Sequence, residues 1–414
     1  MASKYQAPRG TFDVLPADAR ARRRVEATAA EICARAGYEP IATPAFEDTA
    51  LFERGVGRST DIVRKEMFTF EDKGGRSITL RPEGTAPICR AYVEHGMHKL
   101  AQPVKLCYGG PFFRHERPQA GRYRQFHQLG IEAIGTDSPL ADAEAIMLLA
   151  ELLAELGVPG VELRLGSLGS PGARSAYLEE LKAHLRAHEA DLSKEVRERI
   201  ELNPLRAFDA DDEGTRGVMA SAPTIVERLQ GEDAEHFAEV RELLEAAGVG
   251  FEIDPTLVRG LDYYTRTIFS FVCAELGAQS EVGGGGRYDG LIEQLGGPPT
   301  PAIGWAAGIE RILLALGEQP EQAGRDAFLA VADPGQRRRA LALAGELRHA
   351  GLTAEVDLAG RGLKGQLKHA DRIGARRVLI LEADGSAQLR DMRSGEQSPV
   401  DTASLIEAIG GERP

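Results

Sequence analysis

The stretch from Phe112 to Gly135, FFRHERPQAGRYRQFHQLGIEAIG, constrains the fold more than any other part of the chain. Apolar and polar residues alternate on both sides of a short polar segment, which consists of Pro118, Gln119, Ala120 and Gly121. A period of two is typical of β-strands, and turn-forming residues between two such runs join antiparallel neighbours. The stretch therefore predicts an antiparallel hairpin.

The second strand of this hairpin has an unusual face. Successive side chains of a strand point to opposite sides, so an aromatic ring, an amide, a glycine and a carboxylate share one face. They are Phe126, Gln128, Gly130 and Glu132, and the facing strand is expected to place Arg114 and Glu116 beside them. Such a row suits a small ligand with a flat ring, an anionic group and a hydrogen-bonding group. An ordinary solvated sheet face is the alternative.

Four arginines surround the loop of the hairpin, and they favour the ligand over the solvated face. They are Arg114, Arg117, Arg122 and Arg124. Guanidinium groups hold phosphates through paired hydrogen bonds, so the cluster predicts a phosphate-bearing ligand.

The whole chain has the composition of an ordinary globular protein. Its 414 residues are enough for two or three domains. Its apolar runs fall short of the roughly 20 residues that a membrane span needs, and its first residues lack the apolar core of a signal peptide. We therefore expect a cytoplasmic protein without a membrane segment. The net charge of −13 argues against indiscriminate coating of nucleic acid, although local basic patches can still bind it.

Neither a disulfide framework nor a dedicated metal site is expected. The four cysteines are far apart and form no Cys-x-x-Cys pair; they are Cys33, Cys89, Cys107 and Cys273. His184 and His188 are four residues apart in a predicted helix, but no third ligand accompanies them. A solvated helix face explains them better than a metal.

The first part of the chain predicts a long helix, an extended segment and a second hairpin. Ala17 to Ala36 has apolar residues at helical spacing, and the prolines of Tyr38 to Phe46 exclude a helix interior. Phe68 to Pro82 has Lys-Gly-Gly at its centre and leads into a helix start with Glu83 and Thr85. Taken alone, Glu83 is explained by the positive end of the helix dipole.

A helical module interrupts the middle of the chain. Val161 to Leu165 predicts a strand. Ala173 to Leu202 and Thr224 to Ala247 are charged and helical in pattern, with a loop predicted from Asn203 to Gly217. We interpret residues 170–250 as a helical insertion in a mixed α/β domain.

Two segments after this module carry unusual residues. Leu257 to Phe271, LVRGLDYYTRTIFSF, has strand character but concentrates Arg259, Asp262, Tyr263, Tyr264 and Arg266. Buried charges are costly unless paired or bound, so a ligand-facing role is favoured over a structural ion pair of Arg259 with Asp262 or another carboxylate. Gly283 to Gly290, GGGGRYDG, lets the backbone lie very close to a ligand or another strand. Its spacing fits neither a dinucleotide fingerprint nor a P-loop.

The end of the chain predicts a separate α/β unit. Ala302 to Leu316 changes from a strand to a helix that carries Arg311, which can reach a phosphate or extend to solvent. Gly317 to Arg325 has the composition of a linker, and strands alternate with helices beyond it. Basic residues outnumber acidic ones eight to four between Arg361 and Arg393. This run suits an RNA backbone, with a solvated face as the alternative.

Five of these motifs, in this order, resemble the histidine–tRNA ligase family of class II aminoacyl-tRNA synthetases. They are the proline-bearing segment near Pro44, RPEGT at Arg81 to Thr85, FRHERPQAGRYRQFHQLGIE, RGLDYYTRTIF with GGGGRYDGL, and AAGIERILLAL. The resemblance implies an α+β catalytic domain at residues 1–325, in which helices flank an antiparallel sheet, and an α/β anticodon-binding domain at residues 326–414. It also implies a homodimer that attaches L-histidine to tRNA(His) through a histidyl-adenylate made from ATP, with Mg²⁺.

The resemblance also implies roles for particular residues. Arg114 and Arg259 are the expected catalytic residues. The expected histidine-binding residues are Glu83, Thr85, Arg114, Gln128, Glu132, Arg259, Tyr263 and Tyr264, and the expected ATP-binding residues are Arg114, Glu116, Phe126 and Arg311. Magnesium is expected to take its ligands from phosphate oxygens and water, with none from dedicated protein residues.

Two positions depart from the family's pattern, and two other functions stay open. Ala120 stands where relatives often carry lysine, and Trp305 where phenylalanine is common. One alternative is a noncatalytic relative that regulates an ATP phosphoribosyltransferase in histidine biosynthesis, but such a relative is expected to lack the arginine of RGLDYYTRTIF and the C-terminal domain. The other is a structural RNA-binding protein, which leaves Glu83 and Glu132 unexplained.

Overall fold

The chain divides into two compact units, Met1–Glu318 and Gln319–Pro414. The structure is a computed structural model that describes residues 5–57, 60–317 and 324–411. Most of the predicted linker, residues 318–323, lies outside the described residues. A strand already begins at Arg325, so that residue does not belong to the linker.

The first unit contains a large sheet, a small sheet and the helices around them. Its helices are α1 (Pro16–Arg35), α2 (Thr49–Phe52), α3 (Thr85–Glu94), α4 (Pro139–Leu156), α5 (Pro171–Ala187), α6 (Lys194–Arg197), α7 (Glu213–Met219), α8 (Glu232–Ala246), α9 (Leu291–Gln294) and α10 (Ile309–Leu316). Its strands are β1 (Glu39–Pro40), β2 (Phe46–Asp48), β3 (Phe68–Glu71), β4 (Ser77–Leu80), β5 (Val104–Phe113), β6 (Gln125–Ile134), β7 (Val161–Ser167), β8 (Glu252–Ile253), β9 (Thr265–Cys273), β10 (Glu281–Arg287) and β11 (Ala302–Gly308). Short 3₁₀ and π-helical turns span Glu53–Gly57, Ile62–Glu66, Met97–Lys99, Glu189–Asp191, Pro204–Asp209, Val226–Arg228 and Ala274–Gln279.

The large sheet has the order β1-β5-β6-β11-β10-β9-β7-β8. Its central neighbours are antiparallel, and only the short edge strands β1 and β8 pair in parallel within the described residues. The predicted hairpin is confirmed as β5 and β6, with Phe112 opposite Phe126. The second hairpin is confirmed as β3 and β4, which join β2 in the small sheet.

One face of the large sheet is covered by the main hydrophobic core. Apolar side chains of α1, α4, α8 and α10 pack there against alternate residues of the strands, such as Ile131, Phe269 and Ile303. Because side chains alternate along each strand, the residues between them point to the opposite face. That face is therefore left for the polar row that includes Phe126 and Gln128.

The glycine run lies in the middle of this sheet, as β10. A Cβ atom at Gly285 would lie 2.0 Å from the carbonyl oxygen of Gly304, and one at Gly284 would lie 2.9 Å from Nη1 of Arg259. Real Cβ atoms do not approach other atoms so closely, so side chains are excluded at both positions. The predicted close approach of the backbone is confirmed.

The helical insertion, α5 to α8, follows β7 and precedes β8 in the sequence, and these two strands are neighbours in the large sheet. The α5–α7 part contributes Leu181, Leu185 and Val196 to a second hydrophobic cluster. The loop predicted across residues 203–217 is wrong, because a 3₁₀ turn at Pro204–Asp209 and helix α7 occupy most of it. These elements are too short to give a sustained helical period in the sequence.

The second unit is an α/β fold with its own sheet and core. Its strands are β12 (Arg325–Val331), β13 (Ala354–Val356), β14 (Ala375–Leu381), β15 (Ala387–Asp391) and β16 (Gln397–Pro399). Its helices are α11 (Arg337–His349), α12 (Leu363–Arg372) and α13 (Leu405–Gly410), with 3₁₀ turns at Pro334–Gln336 and Thr402–Ser404. The sheet order is β13-β12-β14-β15-β16. Across both units, the described residues include no helix that is long and apolar enough to span a membrane.

Candidate active site

A cavity of about 1100 Å³ opens on the face of the large sheet opposite the main core. Ten of the residues predicted from the sequence line it together. They are Glu83, Thr85, Arg114, Glu116, Phe126, Gln128, Arg259, Tyr263, Tyr264 and Arg311. They come from segments far apart in the sequence, so the fold brings the predicted motifs to one place.

Glu83 lines the cavity just before the beginning of α3. Its carboxylate accepts hydrogen bonds from the backbone NH of Thr85 at 2.8 Å and of Ala86 at 2.9 Å, and the Tyr263 hydroxyl donates to it at 3.4 Å. Burial raises the pKa of Glu83. The helix-terminus explanation for this residue is therefore structurally correct, and the same carboxylate also lines the cavity.

Glu132 is fully buried next to Thr85, with none of its surface exposed, and it does not line the cavity. The Thr85 hydroxyl donates to Oε1 at 2.8 Å, and the Tyr288 hydroxyl donates to Oε2. Burial raises the pKa of Glu132 to about 8. The structure thus places Glu132 behind Thr85. Each of its two carboxylate oxygens already accepts a hydrogen bond from a hydroxyl group of the protein.

Arg114 lines the cavity beside Phe126, and Glu116 lies 3.8 Å from its guanidinium. Strand β5 ends at Phe113, so both residues follow the strand instead of lying on it, but Arg114 still lies beside Phe126 as predicted. The Nε of Arg114 donates to the backbone oxygen of Pro82 at 2.9 Å, and its guanidinium lies 5.3 Å from the centre of the Phe126 ring. An exposed face of an aromatic ring next to a guanidinium suits a base and its phosphates.

Arg259 forms an ion pair with Glu281, at 2.7 Å between Nη1 and Oε2. Ser270 donates to the same carboxylate oxygen at 3.0 Å, and Arg311 donates to the backbone oxygen of Glu281 at 2.7 Å. Burial acts to raise the pKa of Glu281, but Arg259 and Arg311 outweigh it and lower that pKa. The ion pair considered as the structural alternative for Arg259 is therefore present, but with Glu281 and not with Asp262, whose carboxylate is contacted by Asn203 at 3.5 Å.

Three residues of this site were not identified from the sequence: Tyr108, Tyr288 and Glu281. Tyr108 lies opposite Gly130 in the hairpin, so the alternation that identified Gln128 also pointed to it. Its hydroxyl and the Gln128 amide oxygen are buried without a hydrogen-bond partner among the described residues. Two unsatisfied polar atoms beside a cavity are suited to a ligand that supplies their partners.

The other sequence candidates are engaged elsewhere. His184 contacts the backbone oxygen of Val218, and His188 contacts that of His184, both at 3.0 Å. Within residues 5–57, 60–317 and 324–411, no group of three or more His, Cys, Asp or Glu side chains is placed to hold a metal ion. Of the basic run in the second unit, Arg361, Arg376 and Arg377 contact carboxylates.

Comparisons with known proteins identify the family. A family model described as histidyl-tRNA synthetase matches residues 10–312, and one described as anticodon binding domain matches residues 326–412. A histidine–tRNA ligase of Thermosynechococcus vestitus is 48% identical over 407 residues, which cover 97% of this chain and 95% of that protein. One of Desulfitobacterium hafniense is 49% identical over 413 residues, covering 98% and 97%.

A solved structure supports the same assignment. The crystal structure of apo S. aureus histidyl-tRNA synthetase has a TM-score of 0.82 and 35% sequence identity, and the match covers 98% of this chain and 99% of that one. The sequence match and the fold match both extend over nearly the whole chain. This chain therefore belongs to the histidyl-tRNA synthetase family.

Proposed function

We propose that this chain attaches L-histidine to tRNA(His) in two steps. In the first step, a carboxylate oxygen of histidine attacks the α-phosphorus of ATP, and the bond to pyrophosphate breaks. In the second step, a terminal ribose hydroxyl of the tRNA attacks the carbonyl of histidyl-adenylate, and AMP leaves. The observation that carries the proposal is a cavity that brings Arg114, Arg259 and Arg311 together with Glu83, Tyr263 and Tyr264.

The proposed site for histidine is the group of Glu83, Glu132, Tyr263 and Tyr264, which we call the carboxylate corner. The amino group and the imidazole ring of histidine need hydrogen-bond acceptors and donors. The side chains that can supply them are Glu83, Thr85, Gln128, Glu132, Tyr263 and Tyr264. Buried polar groups left without partners reject ligands that cannot satisfy them, which gives such a site its selectivity. Glu132 lies deepest, so we assign it to the imidazole end of the substrate.

The part of the cavity that is lined by Phe126 and Arg311 is the proposed site for ATP. We assign the adenine ring to the face of Phe126, with Glu116 nearby, and the outer phosphates to Arg311. Arg114 and Arg259 flank the α-phosphate in this arrangement, so their positive charges stabilise the five-coordinate transition state. Arg259 is held by Glu281 before ATP binds, at 2.7 Å.

Mg²⁺ is proposed to enter with ATP. It prefers oxygen ligands and keeps several waters, and one or two carboxylates are enough to anchor it. Glu116 and Glu281 line the cavity but are already paired with Arg122 and Arg259, so neither is assigned as a dedicated ligand of the ion. The ion would neutralise phosphate charge, with phosphate oxygens and water as its main ligands.

The partner, location and domain limits are proposed as well. We assign tRNA recognition to an anticodon-binding domain at residues 326–414, and catalysis to residues 1–325 with the insertion near residues 170–250.

We also propose a homodimer. Phe46 and Phe70 of the small sheet support it, because their side chains are 55% and 47% exposed. Large apolar groups on a surface favour an interface. The cytoplasm is the proposed location, because charged tRNA is consumed there.

Histidine-dependent exchange of labelled pyrophosphate into ATP tests the first step. The purified chain is expected to exchange label with histidine and ATP in the absence of tRNA, and not without histidine. A regulatory relative of an ATP phosphoribosyltransferase would give no exchange, and neither would a structural RNA-binding protein. The regulatory alternative is not favoured, because relatives 48% and 49% identical over nearly the whole chain are named histidine–tRNA ligase.

A further inference from the structure

One arginine of the helical insertion reaches the segment that carries the site tyrosines. Arg174 lies in the first turn of α5. Its Nη1 donates to the backbone oxygen of Tyr264 at 3.0 Å and to that of Asp262 at 3.4 Å. The two acceptors stand on either side of Tyr263, so one guanidinium holds the backbone before and after a residue that lines the cavity.

The site segment, residues 257–264, lies between β8 and β9 and outside the ladder of the large sheet. Its conformation therefore depends on contacts from other elements. The NH of Asp262 donates to the backbone oxygen of Val56 at 3.2 Å, and Asn203 of the insertion contacts the Asp262 carboxylate at 3.5 Å. Arg174 adds two bonds from a charged donor, which are stronger than those between neutral groups.

The base of the insertion is tied to the same region. Asp233, at the beginning of α8, accepts hydrogen bonds from the backbone NH and the hydroxyl of Ser170, and from Nε of Arg266 at 3.1 Å. Arg266 has φ of 43°, a left-handed conformation that arginine rarely adopts. Its backbone NH donates to Gly169 at 2.8 Å. The start of the insertion and the start of its last helix, α8, are thus both fixed to Arg266, two residues after the site segment.

We propose that Arg174 is a positioning residue for the histidine end of the site. It acts through the backbone of the site segment, which presents Tyr263 and Tyr264 to the substrate. The inference rests on the function proposed above and extends it from the cavity to the insertion. Removal of the guanidinium loosens the part of the site segment that carries Tyr263 and Tyr264 and weakens histidine binding, whereas Arg259 keeps its ion pair with Glu281 and the ATP site at Phe126 and Arg311 keeps its geometry.

Pyrophosphate exchange by Arg174→Met, Arg174→Lys and Arg186→Met tests this role. Methionine keeps an apolar stem but donates no hydrogen bond, whereas lysine can restore one. Arg186 lies on the same helix, is 54% exposed and pairs with Glu201, so its variant is the matched control. A hydrogen bond from a charged donor is worth about ten-fold in affinity or more, so Arg174→Met should raise the KM for histidine by about that factor. The KM for ATP should change little, lysine should recover part of the loss, and Arg186→Met should match the unaltered protein.

An equal rise of both KM values, or a lower melting temperature alone, would overturn the positioning role. Hydrogen–deuterium exchange of the unaltered protein decides the matter if Arg174→Met does not fold. Coupling is reciprocal, so bound histidine should slow amide exchange in the first turn of α5, and unchanged exchange there would also overturn the proposal. An unaltered protein without histidine-dependent pyrophosphate exchange would contradict the proposed function itself.

Discussion

Arg259 and Glu281 face each other at the centre of the proposed reaction, 2.7 Å apart. The guanidinium assigned to the transition state is therefore already fixed in the free protein, by a carboxylate that Ser270 also contacts. A donor that is fixed before the reaction needs no reorganisation when charge develops on the phosphate. The ion pair thus serves as a preorganising contact, which is compatible with a catalytic role for Arg259.

Arg259→Ala should slow single-turnover adenylate formation by about 10²–10³-fold with little change in ATP affinity, because the interaction is made mainly in the transition state. Rapid quench with labelled ATP measures this rate. Glu281→Gln is the companion variant, because it breaks the ion pair and keeps the guanidinium. If both variants lose stability equally and Arg259→Ala still makes adenylate at a near-normal rate, Arg259 is a structural partner only.

Glu132 gives the ligand-free protein a defined pH dependence. Burial raises its pKa to about 8 in the folded state, from an ordinary value of 4.5. Between these values the folded state binds more protons than the unfolded state, so stability falls as pH rises, by up to about 1.4 kcal/mol per pH unit. Glu132→Gln cannot ionise and should lose less stability between about pH 5 and pH 8. Urea denaturation across this range measures the difference, and equal pH slopes for the two proteins would count against the buried-carboxylate account.

Among the elements, those with a local signal were predictable from the sequence. Alternation along 112–135 defined the β5–β6 hairpin, and four consecutive glycines indicated a close approach of backbones. The partners of buried charges had no such signal, because they come from distant segments. Arg287 pairs with Asp142, which is 145 residues away, and the fold alone brings Tyr288 to Glu132. The left-handed Arg266 was equally unpredictable, because the contacts that hold it lie in the insertion.

The central strand β10 should be intolerant of any side chain at Gly285. A Cβ atom there would lie 2.0 Å from the Gly304 oxygen and 2.6 Å from Cα of Trp305, and both are backbone atoms that cannot rotate away. Gly285→Ala should therefore reduce the free energy of unfolding by about 3 kcal/mol or more. The control is Gly217→Ala in α7, where a Cβ meets nothing within 4 Å, and it should be neutral or stabilising by about 0.5–1 kcal/mol. Urea denaturation of both variants tests the contrast, and similar midpoints would show that β10 can shift to make room.

At the scale of the whole molecule, the two units have separate cores and different proposed tasks. The first unit contains every residue that lines the cavity, and the second has its own sheet packed on α11, α12 and α13. A chain that ends near Gln322, which lies outside the described residues, should still form adenylate but charge tRNA poorly. Exchange and aminoacylation assays on this truncated protein, with circular dichroism as the folding control, measure both activities. Charging equal to that of the full chain would refute the assignment of the second unit to tRNA recognition.

The transfer of labelled histidine to tRNA tests the central claim most directly. The purified full chain, given ATP, Mg²⁺ and a tRNA(His) transcript, is expected to place histidine on the terminal ribose and to release one AMP and one pyrophosphate per histidine transferred. Each of the other amino acids supplied in place of histidine should give no stable product, because the carboxylate corner is left without its partners. Failure to transfer histidine, with folded protein and a tRNA that a known histidine–tRNA ligase charges, would contradict the account.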